Sequence, residues 1–158
     1  MTGKILNKEI KELKGIDNVV AFSGEAGSGR SKLAFSTVAK HIAENKKIVF
    51  IFNDYSESYA FEQVMTAYSH FFPNEKIEDF LKKASGKLEF KQMDTTEKMV
   101  IETIKNNKDA DLLVVDHFKK DPKGSSVLSV IRLSEVLNKT NKGTNALVTM
   151  QEKNNPKK

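Results

Sequence analysis

A glycine-rich segment near the start of the chain has the residue types and spacing needed to hold a phosphate group. It occupies residues 24–31 and reads Gly24, Glu25, Ala26, Gly27, Ser28, Gly29, Arg30 and Ser31. Because glycine has no side chain, such a loop lets successive backbone N–H groups converge on phosphate oxygens. A short apolar run precedes the segment and the strongest helical pattern follows it, so a helix N-terminus adds positive charge there. The segment predicts a phosphate-binding loop, with an ordinary strand-to-helix turn as the alternative.

The side chains at the end of this segment depart in one place from the usual P-loop pattern. Ser31 stands where the motif supplies a hydroxyl to Mg²⁺, whereas Arg30 stands where the motif has lysine. Arginine keeps the positive charge, but its planar fork cannot occupy the same point between the β- and γ-phosphates. Lys32 could supply the missing ammonium, although each residue turns by about 100° around a helix, which changes its direction. We therefore expect nucleotide binding with impaired hydrolysis.

A magnesium nucleotide needs a second anchor, usually an acid at the end of a buried strand beside the loop. Asp116 follows four apolar residues, and strand ends at the carboxyl edge of an open sheet line the ligand crevice. We predict that Asp116 is a metal ligand, with a helix-capping or solvent-facing aspartate as the alternative. His117 comes next, and we interpret it as a packing residue because nothing in the sequence pairs it with a carboxylate.

Three further polar residues are candidates for contact with the γ-phosphate or its attacking water. Asp54 follows the second apolar run and Glu57 comes three residues later, so either carboxylate could orient a water. Either could equally begin the next helix. Gln151 follows the last apolar run, where its amide could sense the γ-phosphate or simply be a solvated strand end.

The elements that position these residues alternate along the chain. Five short β-branched or aromatic runs predict strands, at residues 19–22, 48–52, 88–90, 112–115 and 146–148. Stretches with helical spacing lie between them, the clearest of which covers residues 33–43. A short extra helix is expected around Phe80, and a capping box over residues 94–97 opens a later helix. The alternation predicts an α/β fold, in which a parallel five-stranded sheet is covered by helices on both faces.

Length and composition fit one domain without a membrane segment. The chain has 158 residues, 39% hydrophobic and 30% charged, and its apolar runs fall short of the roughly 18 residues that span a bilayer. We predict a nucleotide-binding domain over residues 1–152 and a disordered basic tail over residues 153–158. Without cysteine or a secretory signal, the cytoplasm is the expected compartment.

The net charge of +5 is unevenly distributed along the chain. After Asp116 there are 9 basic and 3 acidic residues, whereas 17 basic and 18 acidic residues lie up to and including it. A basic surface of this kind attracts phosphate backbones, although lysine-rich surfaces also serve solubility alone.

Together these motifs resemble the ATPase core of the archaeal RadA/RadB recombinases and their RecA-type relatives. The resemblance runs from residues 2–16 through the glycine-rich segment to residues 48–54, 112–119 and 148–151. It implies a RecA-like P-loop fold that binds ATP and Mg²⁺. It also implies the sheet order 3-2-4-5-1, when the five predicted strands are numbered along the chain.

The resemblance also implies roles for individual residues. Asp54 takes the place of a catalytic glutamate, and Gln151 takes the place of a glutamine that senses the γ-phosphate. A loop that binds single-stranded DNA would follow Asp116 and cover residues 117–126. Its basic members in this sequence are Lys119, Lys120 and Lys123.

The departures from the family pattern predict a reduced paralogue. Arg30 replaces the lysine, Asp54 replaces the glutamate, and the sequence stops soon after Gln151. We expect an ATP-binding accessory factor in DNA recombination or repair, with weak or absent hydrolysis. The alternatives are an active ATPase and a nucleotide-independent adaptor that retains the fold.

The implied strand order leaves the strand over residues 19–22 at one edge of the sheet. An exposed edge offers unpaired N–H and C=O groups to another chain. We therefore expect self-association or docking on a recombinase partner. The alternative is that the N-terminal segment around residues 5–13 covers this edge as a helix.

Overall fold

The computed structural model describes residues 11–16, 18–24, 29–141 and 143–151, which form an α/β fold of six strands and five helices. The strands are β1 (Lys11–Ile16), β2 (Val19–Gly24), β3 (Ile48–Phe52), β4 (Leu88–Gln92), β5 (Leu112–Val115) and β6 (Asn145–Gln151). The helices are α1 (Arg30–Ala43), α2 (Glu57–Phe71), α3 (Ile77–Ala84), α4 (Glu97–Lys105) and α5 (Ser126–Thr140). None of these five helices is long and apolar enough to cross a bilayer. The predicted tail, and Glu25 to Ser28 of the glycine-rich segment, lie outside the described residues.

The sheet has the order β1-β2-β6-β5-β3-β4. The five strands from β2 to β6 are all parallel to their neighbours among these five. Read from β4 to β2, they follow the order 3-2-4-5-1 of the five predicted strands, so the parallel sheet and its order are confirmed. Helices connect these strands because a parallel pair cannot be joined by a tight hairpin.

β1 is a sixth strand that the sequence interpretation missed, and it covers the edge formed by β2. It runs antiparallel to β2, with Gly15 opposite Val20 and Ile16 opposite Val19. The prediction that β2 is an open edge is therefore wrong, because the ladder from β1 satisfies its backbone groups. The alternative of a covering helix is also wrong for residues 11–13, which are in β1, whereas residues 5–10 lie outside the described ranges.

Two apolar cores lie on opposite faces of the sheet. In β3, Ile48, Phe50 and Phe52 belong to the core beneath α1, α2 and α3. Val49 and Ile51 belong to the core beneath α4 and α5. All five residues of β3 are buried, as expected for a strand covered on both faces, whose side chains alternate between them. The parallel arrangement brings the carboxyl ends of β2 to β6 to one edge of the sheet.

The start of α4 differs from the predicted capping box over residues 94–97. Thr96 is the N-cap, and Asp94 accepts a hydrogen bond from the Thr96 N–H at 3.1 Å. Glu97 is already the first helical residue, and its carboxylate contacts Arg132 and Ser129 of α5. The predicted capping box is therefore wrong in register. The carboxylate of Glu97, which would have closed it, instead forms an ion pair with Arg132 of α5.

Candidate functional site

Asp116 lies at the carboxyl edge of the sheet, directly after β5, and only 3% of it is exposed. Three hydroxyl groups donate hydrogen bonds to its carboxylate. Ser31 and Tyr55 donate to Oδ2 at 2.7 and 2.5 Å. Thr149 donates to Oδ1 at 2.6 Å. Because a buried charge is costly without such partners, these contacts hold the carboxylate in one orientation. We call these four residues the Asp116 cluster.

The parallel sheet brings the members of the cluster together from distant parts of the sequence. β5 and β6 are neighbours, so the end of β5 places Asp116 beside Thr149. α1 begins at the same edge because it follows β2, and Ser31 lies in its first turn. The two residues predicted to hold Mg²⁺, Ser31 and Asp116, are 85 positions apart in sequence and within hydrogen-bond distance in space.

Tyr55 joins the cluster from the loop between β3 and α2. Its ring stacks on Phe52, with centroids 4.9 Å apart, and lies edge-on to Phe35 at 5.5 Å. This packing directs the hydroxyl at Asp116. Burial, and then the nearby charge of Asp116, raises the pKa of the Tyr55 hydroxyl far above its ordinary value, so the hydroxyl stays a donor. Residue spacing carries no signal for this role, because an aromatic residue near apolar strands is ordinarily core.

His117 has a left-handed backbone, with φ 68°, which is uncommon for residues other than glycine. Its N–H donates to Thr149 Oγ1 at 2.8 Å, and its carbonyl accepts from Thr95 Oγ1 at 2.6 Å. Its Nδ1 lies 2.7 Å from Asp54 Oδ2. The interpretation of His117 as a packing residue without a carboxylate partner is therefore wrong. The partner is 63 positions away, and only the neighbouring positions of β3 and β5 bring the two together.

The start of α1 carries positively charged donors that have no partner within the described residues. Gly29 is its N-cap with φ 96°, a conformation that glycine adopts without steric cost. Arg30 follows, and its Nε and Nη1 are buried without a hydrogen-bond partner in the part of the chain that the structure describes. Guanidinium groups match phosphate oxygens in geometry, and the first turn contains no acidic residue to compete for them. This helix start is therefore suited to an anion.

The other predicted contacts of the nucleotide lie around this helix start. Lys32 is exposed and lines a groove of about 270 Å³ between α1 and α2, beside Gln63 and His70. Its side chain therefore lies on the α2 side of α1. Gln151 is exposed at the end of β6, where it is paired in register with Gly24, the first residue of the glycine-rich segment.

The two candidate carboxylates after β3 have different surroundings. Asp54 is exposed and paired with His117. Glu57 is exposed in the first turn of α2, directly after the N-cap Ser56, whose hydroxyl accepts from the Tyr59 N–H at 3.1 Å. An acidic residue there interacts favourably with the helix dipole, which is the helix-starting role considered as its alternative.

The segment predicted to contact DNA is fixed at one end and exposed at the other. The Glu97 N–H donates to the Lys119 carbonyl at 3.1 Å, which ties the segment to the start of α4. The Lys120 ammonium donates to the Gly124 carbonyl at 3.1 Å. Lys123 is exposed. Of the three lysines, Lys123 is the most accessible to a phosphate backbone.

The oxygen atoms of the Asp116 cluster are suitable ligands for Mg²⁺ when phosphate is also present. Mg²⁺ is commonly bound through one or two carboxylates together with substrate phosphates and water. The described residues contain no group of three or more His, Cys, Asp and Glu side chains that could hold a metal without such help. A hydroxyl, one carboxylate and the free donors of Arg30 therefore suit a magnesium phosphate better than a bare metal ion.

No protein-family model matches this sequence, and no curated protein is significantly similar to it. The resemblance to the RecA-type ATPase core therefore stays a prediction.

Proposed function

We propose that this chain is a RecA-like P-loop protein that binds ATP and Mg²⁺ at the Asp116 cluster and the start of α1. The observation that carries the proposal is the 2.7 Å contact between Ser31 Oγ and Asp116 Oδ2. It joins the last hydroxyl of the glycine-rich segment to the acid that ends a buried parallel strand. P-loop sites hold the metal of a magnesium nucleotide with these two residue types, so Ser31 and Asp116 would hold it here.

Each group at the site has a role that follows from its chemistry. Ser31 and Asp116 would hold Mg²⁺, which neutralises part of the phosphate charge when it is bound. Arg30 Nε and Nη1, which have no hydrogen-bond partner among the described residues, would donate to phosphate oxygens. Gln151, at the neighbouring strand end, would contact the terminal phosphate.

Two features support weak or absent hydrolysis. Arg30 spreads its charge over a planar fork where a lysine would concentrate it at one point. The Asp54 carboxylate, which would orient an attacking water, is paired with His117 at 2.7 Å. We therefore propose an accessory role in DNA recombination or repair, in which nucleotide binding matters more than turnover.

Weak binding of single-stranded DNA through Lys119, Lys120 and Lys123 belongs to the same proposal. Because lysines rather than stacking aromatic rings dominate this segment, the affinity should fall steeply with salt. Fluorescence anisotropy with a labelled oligonucleotide tests this. Undetectable binding at low salt, or binding unchanged when all three lysines become alanine, would remove DNA from the proposed function.

Calorimetric titration with ATP and Mg²⁺ tests nucleotide binding. Gly29→Val should weaken binding by at least about tenfold, because valine is strained at the positive φ of Gly29 and obstructs the approach of phosphate. Gly86→Val is the matched control, since Gly86 also has a positive φ, of 74°. Gly86 precedes β4 and so lies at the amino ends of the parallel strands, away from the site. Equal binding by the two variants would refute the site, and no binding by the unaltered protein would favour the adaptor.

Arg30→Lys tests the part played by the departure from the P-loop pattern. The substitution should strengthen nucleotide binding or raise turnover, because it restores a compact ammonium beside the phosphates. The measurement is made beside the unaltered protein at matched Mg²⁺. No change in either quantity would mean that Arg30 is not in the site.

A further inference from the structure

The Oδ2 oxygen of Asp116 is shared by two hydroxyl donors, Ser31 and Tyr55. A carboxylate oxygen has two lone pairs, so both acceptor positions of Oδ2 are in use. Oδ1 is bonded to Thr149, whose hydroxyl also accepts from the His117 N–H. Because Ser31 contacts Oδ2, a cation held by both Ser31 and Asp116 approaches the carboxylate at Oδ2, where both acceptor positions are already in use.

The two donors at Oδ2 differ in whether they are compatible with a bound metal. The Ser31 hydroxyl can offer a lone pair to Mg²⁺ while its proton still points at Asp116. The Tyr55 hydroxyl is a neutral phenol, whereas Mg²⁺ prefers carboxylate, phosphate and water oxygens. Tyr55 therefore occupies a carboxylate position without supplying a good ligand in exchange.

We propose that the Tyr55 hydroxyl competes with Mg²⁺ for Asp116, so that loading of the metal with a nucleotide requires Tyr55 to leave the carboxylate. This inference rests on the proposed function, since it concerns the same site. Tyr55 directly precedes Ser56, the N-cap of α2, so its displacement is coupled to the start of that helix. One of the site's own side chains therefore opposes metal binding, and a bound metal would displace the residue that precedes the N-cap of α2.

Tyr55→Phe tests the competition because it removes the hydroxyl and keeps the ring that packs on Phe52 and Phe35. ADP affinity is measured by calorimetry in EDTA and again in Mg²⁺. The affinity in Mg²⁺ divided by the affinity in EDTA is then compared between the unaltered protein and the variants. We expect the ratio to rise about tenfold in Tyr55→Phe, the order of one hydrogen bond to a charged group. Tyr59→Phe is the control, because Tyr59 lies in the same aromatic group at 5.4 Å from Tyr55 and is 46% exposed.

A second measurement follows the release of Tyr55 directly. The chain has no tryptophan and three tyrosines, so its intrinsic fluorescence comes from tyrosine. A carboxylate that accepts the phenol proton quenches tyrosine emission. Release of Tyr55 by Mg²⁺ at saturating ADP should therefore raise tyrosine fluorescence. The rise should persist in Tyr59→Phe and disappear in Tyr55→Phe.

The outcomes separate this inference from the proposed function. ADP binding with an equal Mg²⁺ ratio in the unaltered protein and Tyr55→Phe, and no fluorescence rise, would overturn the competition and leave nucleotide binding standing. No binding of ADP by any of the proteins, with or without Mg²⁺, would overturn both. A lower ratio in Tyr55→Phe would mean that Tyr55 assists the metal, which also contradicts the inference.

Discussion

Replacement of Arg30 by methionine should stabilise the protein without ligand and remove most of its response to nucleotide. Arg30 Nε and Nη1 are buried and unpaired within the described residues, and the side chain stands at the positive end of α1. Methionine keeps a long apolar stem of similar reach and carries no donor. The same side chain that favours phosphate should therefore be a cost to the ligand-free fold.

The magnitude follows from two contributions. A buried polar group left without a partner costs about 1–3 kcal/mol. A cation in the first turn of a helix also interacts unfavourably with the helix dipole, which costs a further ~0.3–1 kcal/mol of folding free energy. Lost contacts of the guanidinium with its surroundings offset part of this gain, so we expect Arg30→Met to be about 1–2 kcal/mol more stable. In a domain of this size that raises Tm by about 2–4 °C per kcal/mol.

Urea denaturation with and without Mg²⁺ and ADP measures both effects. At a ligand concentration of roughly 100 times Kd, the unaltered protein should gain about 2.7 kcal/mol, and Arg30→Met should gain much less. The order of stability should therefore reverse as nucleotide is added. Arg132→Met is the control, because Arg132 is paired with Glu97 and should only destabilise. A ligand-free Arg30→Met that is less stable than the unaltered protein, or that gains as much from ADP, would refute the reasoning.

Two further predictions concern stability away from the nucleotide. Hydrogen bonding to Arg132 lowers the pKa of Glu97 in the folded protein, so this contribution is present above the ordinary pKa of 4.5 and is lost as pH falls through the folded value. Arg132→Met should therefore flatten the loss of stability on acidification below that pH, as measured by denaturation at successive pH values, and an unchanged acid slope would contradict it. Asn45 has φ 60° just after α1, so Asn45→Ala should destabilise by about 1 kcal/mol while Asn45→Gly should not, and equal Tm values would exclude strain at this position.

The parallel sheet could be predicted because each of its strands is marked by a dense apolar run. β3 has five consecutive apolar residues, all of them buried, and the order of the strands agrees with the one implied by the resemblance. β1 could not be predicted in the same way. It contains Lys11, Glu12 and Lys14, and an edge strand with a register shift has no clean alternation of apolar and polar residues.

The proximity of Ser31 and Asp116 could be predicted, because each has a fixed place relative to a strand end. Asp116 follows a recognisable apolar run, and Ser31 ends the glycine-rich segment. Tyr55 and the partnership of His117 with Asp54 could not be predicted, since they depend on which loops the sheet brings together. Ring packing and backbone strain at these positions have no signature in residue spacing.

Arg30 and Asp116 differ in how far their hydrogen-bonding capacity is already used, and this difference bears on the order in which ligands bind. Arg30 offers an anion donors that have no partner in the described part of the chain, whereas Asp116 already accepts three hydroxyl protons. Phosphate therefore gains partners that nothing else in the described chain uses, while a metal held by Ser31 reaches Oδ2 of Asp116 only by displacing a hydroxyl donor. We therefore expect nucleotide to bind first and to bring Mg²⁺ with it, because the phosphate oxygens add ligands and negative charge that favour the metal over the Tyr55 hydroxyl.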